Sequence, residues 1–429
     1  MRLALWFLGL FGVATAVALF AGNNQGTITI FWPPYRVDLS LNLVLLLTAL
    51  LFFFLHLAMR ALAALFAMPG LALRWRIQHQ ERVITLALLD AISHLIAGRF
   101  IRARKAAELA LDRDRAMTGS GESLSYSTRV RALAHLLAAE SAQVLQDKSA
   151  RETHFRSALA QSSSRDAQEM RDGIQLRAAR WALEDRDAAG ALTWLDDLSQ
   201  GASRRTLALR LRLKAARLAR QPRLALETAR LLAKHRAFSE MAALGLLRSL
   251  ALELVATAHD PEQLMTVWRL LDGTERTTPE VAMEACRCLL QMGGDVDIGL
   301  GWLLPVWERM VERENSLTEA QRIKLVLGLE SAFALTSGPP QTLWLQRIEH
   351  AQMTNPGDPV LQYLAGVTCL RLQLWGKAQQ LLKQSLPRLQ HAGLERSAWA
   401  ALAELEEQRS DTVGAAQAWK RAATTGVLL

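Results

Sequence analysis

The hydrophobic pattern changes character along the chain. Leu3 to Ala21 is a run of 19 residues without a charge, and Leu39 to Met59 is another of 21, broken only by Ser40, Asn42, Thr48 and His56. At about 1.5 Å per helical residue, each is long enough to cross a hydrocarbon layer about 30 Å thick. The pattern predicts two membrane-spanning helices, at about 3–21 and 39–60. A cleaved signal peptide is the competing reading of the first, because Arg2 precedes it. It is longer than a normal signal core, though, has no small-x-small site at Gly22-Asn23-Asn24, and is soon followed by the second span. Between the spans, Thr27 to Trp32 reads as a β-like run and Pro33-Pro34-Tyr35 as a turn, with Trp32 and Tyr35 suited to the headgroup level. Ala61 to Leu73 stays apolar around Pro69-Gly70, which predicts the lower end of the second helix followed by an interfacial elbow.

From Arg74 onward the pattern is that of amphipathic helices of 12 to 16 residues separated by short polar turns. They align as a repeat, clearest at 358–388 and 395–425. In the last copy Trp399, Leu402, Ala403, Ala415, Trp419 and Ala422 occupy the tetratricopeptide (TPR) positions; Gly366, Trp375, Ala378 and Leu382 do so in the copy before it. Small residues are expected where the two helices of a unit cross closely. Gly366, Ala378, Trp399, Ala403, Ala415 and Trp419 are therefore the predicted repeat-packing residues. The equivalent of Ala378 in earlier copies is assigned to Leu343, Leu300, Leu264, Ala225, Ala191, Ala150 and Ala103. Breaks are expected at Gly119-Ser120-Gly121, Ser162-Ser163-Ser164, Gly293-Gly294 and Gly338-Pro339-Pro340. The expected fold is all-α: a membrane anchor over 1–73, then a TPR-like α-solenoid of about nine hairpins over 74–429, each packing on its neighbours.

Composition supports helices, with abundant Ala, Leu and Arg and only three Tyr. Arg60, Arg74, Arg76 and Arg82 follow the second span, whereas the short loop carries only Arg36 and Asp38. The positive-inside rule then places the repeats in the cytoplasm and that loop on the opposite side, the periplasm if the cell is bacterial. Net charge is +9, concentrated in Gly201–Arg236, where eleven Lys or Arg face one acid, Glu227. Arg210, Lys214 and Arg217 share a helix face there. They are either a solvated outer face or a basic surface for an acidic partner, lipid headgroups or tetrapyrrole carboxylates. Nucleic acid is not expected, since no aromatics are interleaved.

Catalytic signatures are missing: no phosphate loop, H-E-x-x-H, G-x-S-x-G or dinucleotide fingerprint occurs. Gly119-Ser120-Gly121-Glu122-Ser123 has no preceding strand and reads as an inter-repeat turn. Cys286, Cys288 and Cys369 are odd in number and read as buried thiols. His94 and His135 read as partly exposed helix positions, with axial haem ligation the sharper alternative. The expectation is a non-enzyme with no metal and no resident cofactor.

Trp32-Pro33-Pro34-Tyr35-Arg36-Val37-Asp38-Leu39-Ser40-Leu41-Asn42, then Pro69-Gly70, Arg74-Trp75-Arg76 and Gly98-Arg99-Phe100-Ile101-Arg102-Ala103, resemble the HemY family of inner-membrane TPR proteins. The resemblance implies a scaffold in haem or porphyrin metabolism, holding pathway enzymes at the membrane. A flavin-dependent protoporphyrinogen oxidase shares the family's name, but its fingerprint is missing here and no oxidase activity is carried over. A porphyrin or haem carrier and a cytochrome c assembly factor are the alternatives.

Overall fold

The computed structural model describes residues 2–22, 24–119, 126–312, 316–335 and 339–425. These form two compact units, Met1–Met170 and Arg171–Leu429. Apart from one two-stranded hairpin, regular structure among the described residues is helical.

The first unit opens with α1 (Arg2–Gly22) and the antiparallel pair β1 (Thr27–Trp32) and β2 (Tyr35–Ser40). The Ser40 hydroxyl then accepts the Leu43 amide and caps α2 (Leu41–Ile96), a continuous helix of 56 residues. Its backbone stays helical through Pro69-Gly70, so the predicted elbow is replaced by an unbroken rod. Two faces of the chain's character meet on this rod. Leu41–Ala63 is apolar and exposed all round, whereas Ile84, Ala87, Leu88 and Ala91 are buried against α3 (Phe100–Gly119) and α4 (Ser127–Val144). Ala107, Ala110 and Leu111 of α3 and Val130, Ala134, Leu137 and Ala138 of α4 complete that core. The unit ends with α5 (Lys148–Gln161), paired with α4.

The second unit begins with α6 (Gln168–Glu184), whose first residues belong to the other unit, and α7 (Ala188–Asp196). A single turn α8 (Gln200–Ser203) precedes the hairpin α9 (Thr206–Leu218) and α10 (Pro222–Lys234), then α11 (Glu240–Val255) and α12 (Pro261–Leu270). Another turn, α13 (Gly273–Arg276), leads to α14 (Pro279–Gln291) with α15 (Val296–Glu312), and α16 (Glu319–Leu335) with α17 (Pro339–Thr354). The last hairpins are α18 (Pro359–Arg371) with α19 (Trp375–Ser385), and α20 (Ala392–Gln408) with α21 (Thr412–Thr424). First helices of successive hairpins pack in chain order from α11 through α14, α16 and α18 to α20. One continuous apolar core runs through α14 to α21.

A shared backbone turn is what makes these units repeats. At the end of the first helix a residue with positive φ donates its N–H to the carbonyl three residues back. The following residue donates to the carbonyl five back, the Schellman closure of a helix C-terminus. Gly98, Gln146, Arg186, Arg220, Gly293, Gln373 and Ser410 all take this conformation. At Gln146, for example, the bonds are Gln146 N–H to Gln143 O (3.1 Å) and Asp147 N–H to Ala142 O (2.9 Å). Asp147, Asp187 and Asp411 then cap the second helix at once, each accepting the amide three residues on.

Three of the assigned repeat positions are corrected by one residue. In α15 the position is Gly299 and not Leu300: the Gly299 amide donates to the Asp295 carbonyl, and an added methyl there would meet Cys286 Sγ at 3.1 Å. Asp147 aligns with Asp187 and Asp411, so Arg151, not Ala150, is the equivalent of Ala191 and Ala415. Leu343 is 58% exposed while its neighbour Trp344 is buried at 4%. The inward face of α17 is Trp344, Ile348 and Ala351 at helical spacing, which leaves Leu343 outside. Ala103, Ala191, Ala225, Leu264 and Leu300 are buried. The expected breaks at Gly119-Ser120-Gly121 and Gly338-Pro339-Pro340 lie partly outside the described residues; Gly293-Gly294 and Ser162 close helices.

Candidate interaction surfaces

The predicted packing residues divide by the space around them. A methyl group on Gly366 would stand 2.8 Å from Leu382 Cγ, so only glycine lets α18 and α19 approach this closely. Ala378, Ala403 and Ala415 are buried in the same way. Trp399 is half-buried on the core, with the Arg421 guanidinium 4.6 Å from its ring centre. Trp419 does not pack between helices. Ala415, Ala418 and Ala422 take the inward face of α21, and the Trp419 indole N–H instead donates to Glu407 Oε1 at 2.7 Å.

On α9, Arg210, Lys214 and Arg217 all lie on an exposed face. Arg210 is engaged, its guanidinium donating to the Ala237 carbonyl at 3.0 Å. Of the other cations in Gly201–Arg236, Arg212 pairs with Asp196 (2.7 Å), Arg223 with Glu227 (3.1 Å), and Arg230 with the buried Glu275 (2.9 Å). Lys214 and Arg217 form no ion pair among the described residues and leave positive charge at the surface. Counting only Glu227 against the segment's cations missed Asp196 and Glu275, which are supplied from outside it.

Of the two histidines singled out, only His135 differs from expectation. His94 is half-buried on α2, and His135 is buried, 8% exposed, because α4 turns it toward α5. Its Nδ1 lies 3.0 Å from Nδ1 of His154, so one ring donates and the other must accept. Burial, then the neighbouring His154, Arg115 and Arg131, push His135 down to about 4; burial also lowers His154, against the pull of Glu108. The pair is a neutral bridge between α4 and α5. Sequence gave no sign of it, since 19 residues separate the two rings.

Nucleophiles are equally muted. Burial raises the Cys286 thiol to about 12 and Cys369 to about 11, and Cys288 is raised too. Among the described residues no group of three or more His, Cys, Asp or Glu is placed to hold a metal ion. A groove of about 820 Å³ lies between the loops that join the last hairpins, lined by Arg322, Asp358, Arg388 and His391 among others. Arg322 is already paired with Asp358, and Arg388 reaches the Gly357 carbonyl at 3.5 Å.

The surface with the sharpest definition is the N-terminal one, where the β-hairpin, the exposed apolar half of α2 and the first packed hairpin follow without a linker. Residues 26–146, from the base of the β-hairpin to the turn after α4, match the family model described as HemY protein N-terminus. That match supports membership of the HemY family. No curated protein matches it. Among solved structures it is similar to a chain of the APC/C hetero-tetramer Cut9-Hcn1, at 14% identity over 79% of this chain and 66% of that one, with a TM-score of 0.28. It is similar to the P58(IPK) TPR domain at 14% identity over 76% and 99% of the two chains (TM-score 0.21). A chain of Naa15/Naa10 bound to HypK-THB follows at 12% over 76% and 57% (TM-score 0.23). Such TM-scores describe no common overall path. What places the chain among helical-repeat proteins is its own series of hairpins and their shared turn.

Proposed function

We propose that this HemY-family chain is a non-enzymatic scaffold of haem or porphyrin metabolism that holds protein partners, pathway enzymes among them, at the bacterial inner membrane. One observation carries the reading: the apolar exposed segment Leu41–Ala63 and the first helix of the first repeat are the same helix, α2. A helix exposed and apolar on every side is solvated by lipid, not water. Some 20 residues, about 30 Å of helix, separate Ala63 from the first buried core position, Ile84. The anchor is thereby coupled to the repeats through a rod instead of a flexible linker. The Glu81 carboxylate, which accepts the Tyr126 hydroxyl, fastens that rod to α4.

On this reading α1 is the second span, although its described apolar stretch is the shorter Trp6–Leu19. The excess of Arg60, Arg74, Arg76 and Arg82 over the hairpin's Arg36 and Asp38 favours repeats on the cytoplasmic side. Haem enters through the family alone. Absence of catalysis is supported by the three thiols being buried and by the His135 and His154 imidazoles engaging each other.

The test is cross-linking in intact membranes followed by affinity capture of the solubilised chain. Enrichment of porphyrin-pathway enzymes, lost when α9 carries Lys214→Glu and Arg217→Glu, supports the scaffold and names its face. Recovery of no pathway enzyme, with unchanged porphyrin intermediates in a deletion strain, would end it. A reporter fused beyond the last repeat reads the side of the membrane.

A further inference from the structure

Strand alternation and register sort the hairpin β1–β2 into two unlike faces. Ile28 opposes Leu39, Ile30 opposes Val37 and Trp32 opposes Tyr35, so one face is apolar from base to tip. Thr27, Thr29, Phe31, Arg36, Asp38 and Ser40 form the other. That second face closes on itself: Thr29 Oγ1 donates to Asp38 at 2.6 Å, Arg36 Nε to the same carboxylate at 3.3 Å, and the Arg36 guanidinium lies 5.5 Å from the Phe31 ring centre. The apolar face has no such cover. Ile30 is 47% exposed, Val37 46%, Trp32 75% and Tyr35 71%. A lone two-stranded hairpin is marginal in water, and a bare aromatic face on it makes matters worse.

We infer that this hairpin lies in the membrane–water interface, its apolar face sunk among lipid headgroups and upper acyl chains; the inference rests on reading Leu41–Ala63 as a span. Continuity argues for lipid as the occupant. β2 ends at Ser40, whose side chain caps α2, and the Leu41 amide donates to the Gly26 carbonyl at 2.8 Å. Both ends of the hairpin are thus tied to the first turn of the span, and six residues of strand reach only about 20 Å from it. Trp and Tyr at the tip are the residue types that settle at headgroup depth. Arg36 is neutralised by Asp38, so the contact needs no anionic lipid.

The experiment uses the full chain reconstituted in phosphatidylcholine vesicles, carrying Ile30→Cys, Val37→Cys or Thr27→Cys labelled with a polarity-sensitive maleimide dye. The native thiols are buried and label slowly. At positions 30 and 37 the expected result is severalfold stronger quenching by lipid-borne spin labels than by aqueous iodide, with the reverse at 27, unchanged by high salt. If the chain floats with the vesicles but all three positions are quenched alike from water, the inference is wrong while the span stands. Shielding of 30 and 37 in native membranes that disappears in pure lipid would mean that a protein covers the face, which also overturns it. A chain that does not float removes the span and this inference together.

Discussion

Two largely apolar helical segments among the described residues have opposite surroundings. Residues 361–369 of α18 are buried without a gap, enclosed by α16, α17, α19 and α20. Leu41–Ala63 of α2 has nothing buried at all. Amphipathic patterning cannot orient either helix, because neither has a polar stripe to turn outward. What separates them is supply. Among the described residues four helices pack on α18 and none buries the upper half of α2, which on the reading proposed above is solvated by lipid. The lesson is that an all-round apolar helix is a demand for surroundings, and only the count of available neighbours says whether protein or lipid meets it.

The largest effect should come from breaking the protein-solvated side of that pair. Leu364 is fully buried, and Leu364→Ala should cost about 2–5 kcal/mol of stability through lost transfer and the cavity left behind. Leu51 is 68% exposed, and Leu51→Ala should change unfolding of the detergent-solubilised chain by less than about 0.5 kcal/mol. Denaturant titration of both variants checks this, and equal losses would mean that α2 is buried against protein.

Reversing the demand comes next. Leu51→Arg places a charge near the middle of the apolar segment, at a cost of about 3 kcal/mol in a bilayer. The share of chain retained in membranes after a carbonate wash should fall, with the repeats still folded by circular dichroism. Full retention of the same variant lacking α1 would argue against a span at Leu41–Ala63. Smaller again is the contact inside α18: Gly366→Ala forces Leu382 to move and should cost about 1–3 kcal/mol. The exposed helical Gly12, with open space around it, should tolerate alanine freely.

Much of this contrast was legible beforehand. Uninterrupted apolar runs located α1 and α2, period-3.6 patterning located the hairpins, and Trp32-Pro33-Pro34-Tyr35 marked the β-turn. Repeat register was legible only where large residues flank the small ones, as at Gly366 with Leu382. Alanine and leucine are too common here to fix a position, and so Ala150, Leu300 and Leu343 were each assigned one residue away from the equivalent site. The signal that does fix register, the positive-φ turn, was hidden because Gln146, Arg186, Arg220, Gln373 and Ser410 occupy it in place of glycine. His135 was misplaced for a related reason. Its burial depends on His154 on the next helix, and nothing local to α4 announces a partner 19 residues away.

That hidden turn gives the finest test of the comparison, since α2 and α18 end in the same closure with different residues. After α2 the positive-φ position is Gly98 (φ 71°); after α18 it is the exposed Gln373 (φ 60°). A side chain in the left-handed region costs about 1–2 kcal/mol, and glycine returns about 0.4–1 kcal/mol of that as extra freedom in the unfolded chain. Gln373→Gly should therefore raise stability by about 0.5 kcal/mol, and Gly98→Ala, with open space where its methyl would go, should lower it by a similar amount. Opposite signs of comparable size in matched thermal melts would show that one backbone turn, independent of sequence, defines the repeat in both units. Gln373→Gly lowering the melting temperature would mean that its side chain holds the α18–α19 turn by contacts worth more than the strain, and the two hairpins would then be built on different terms.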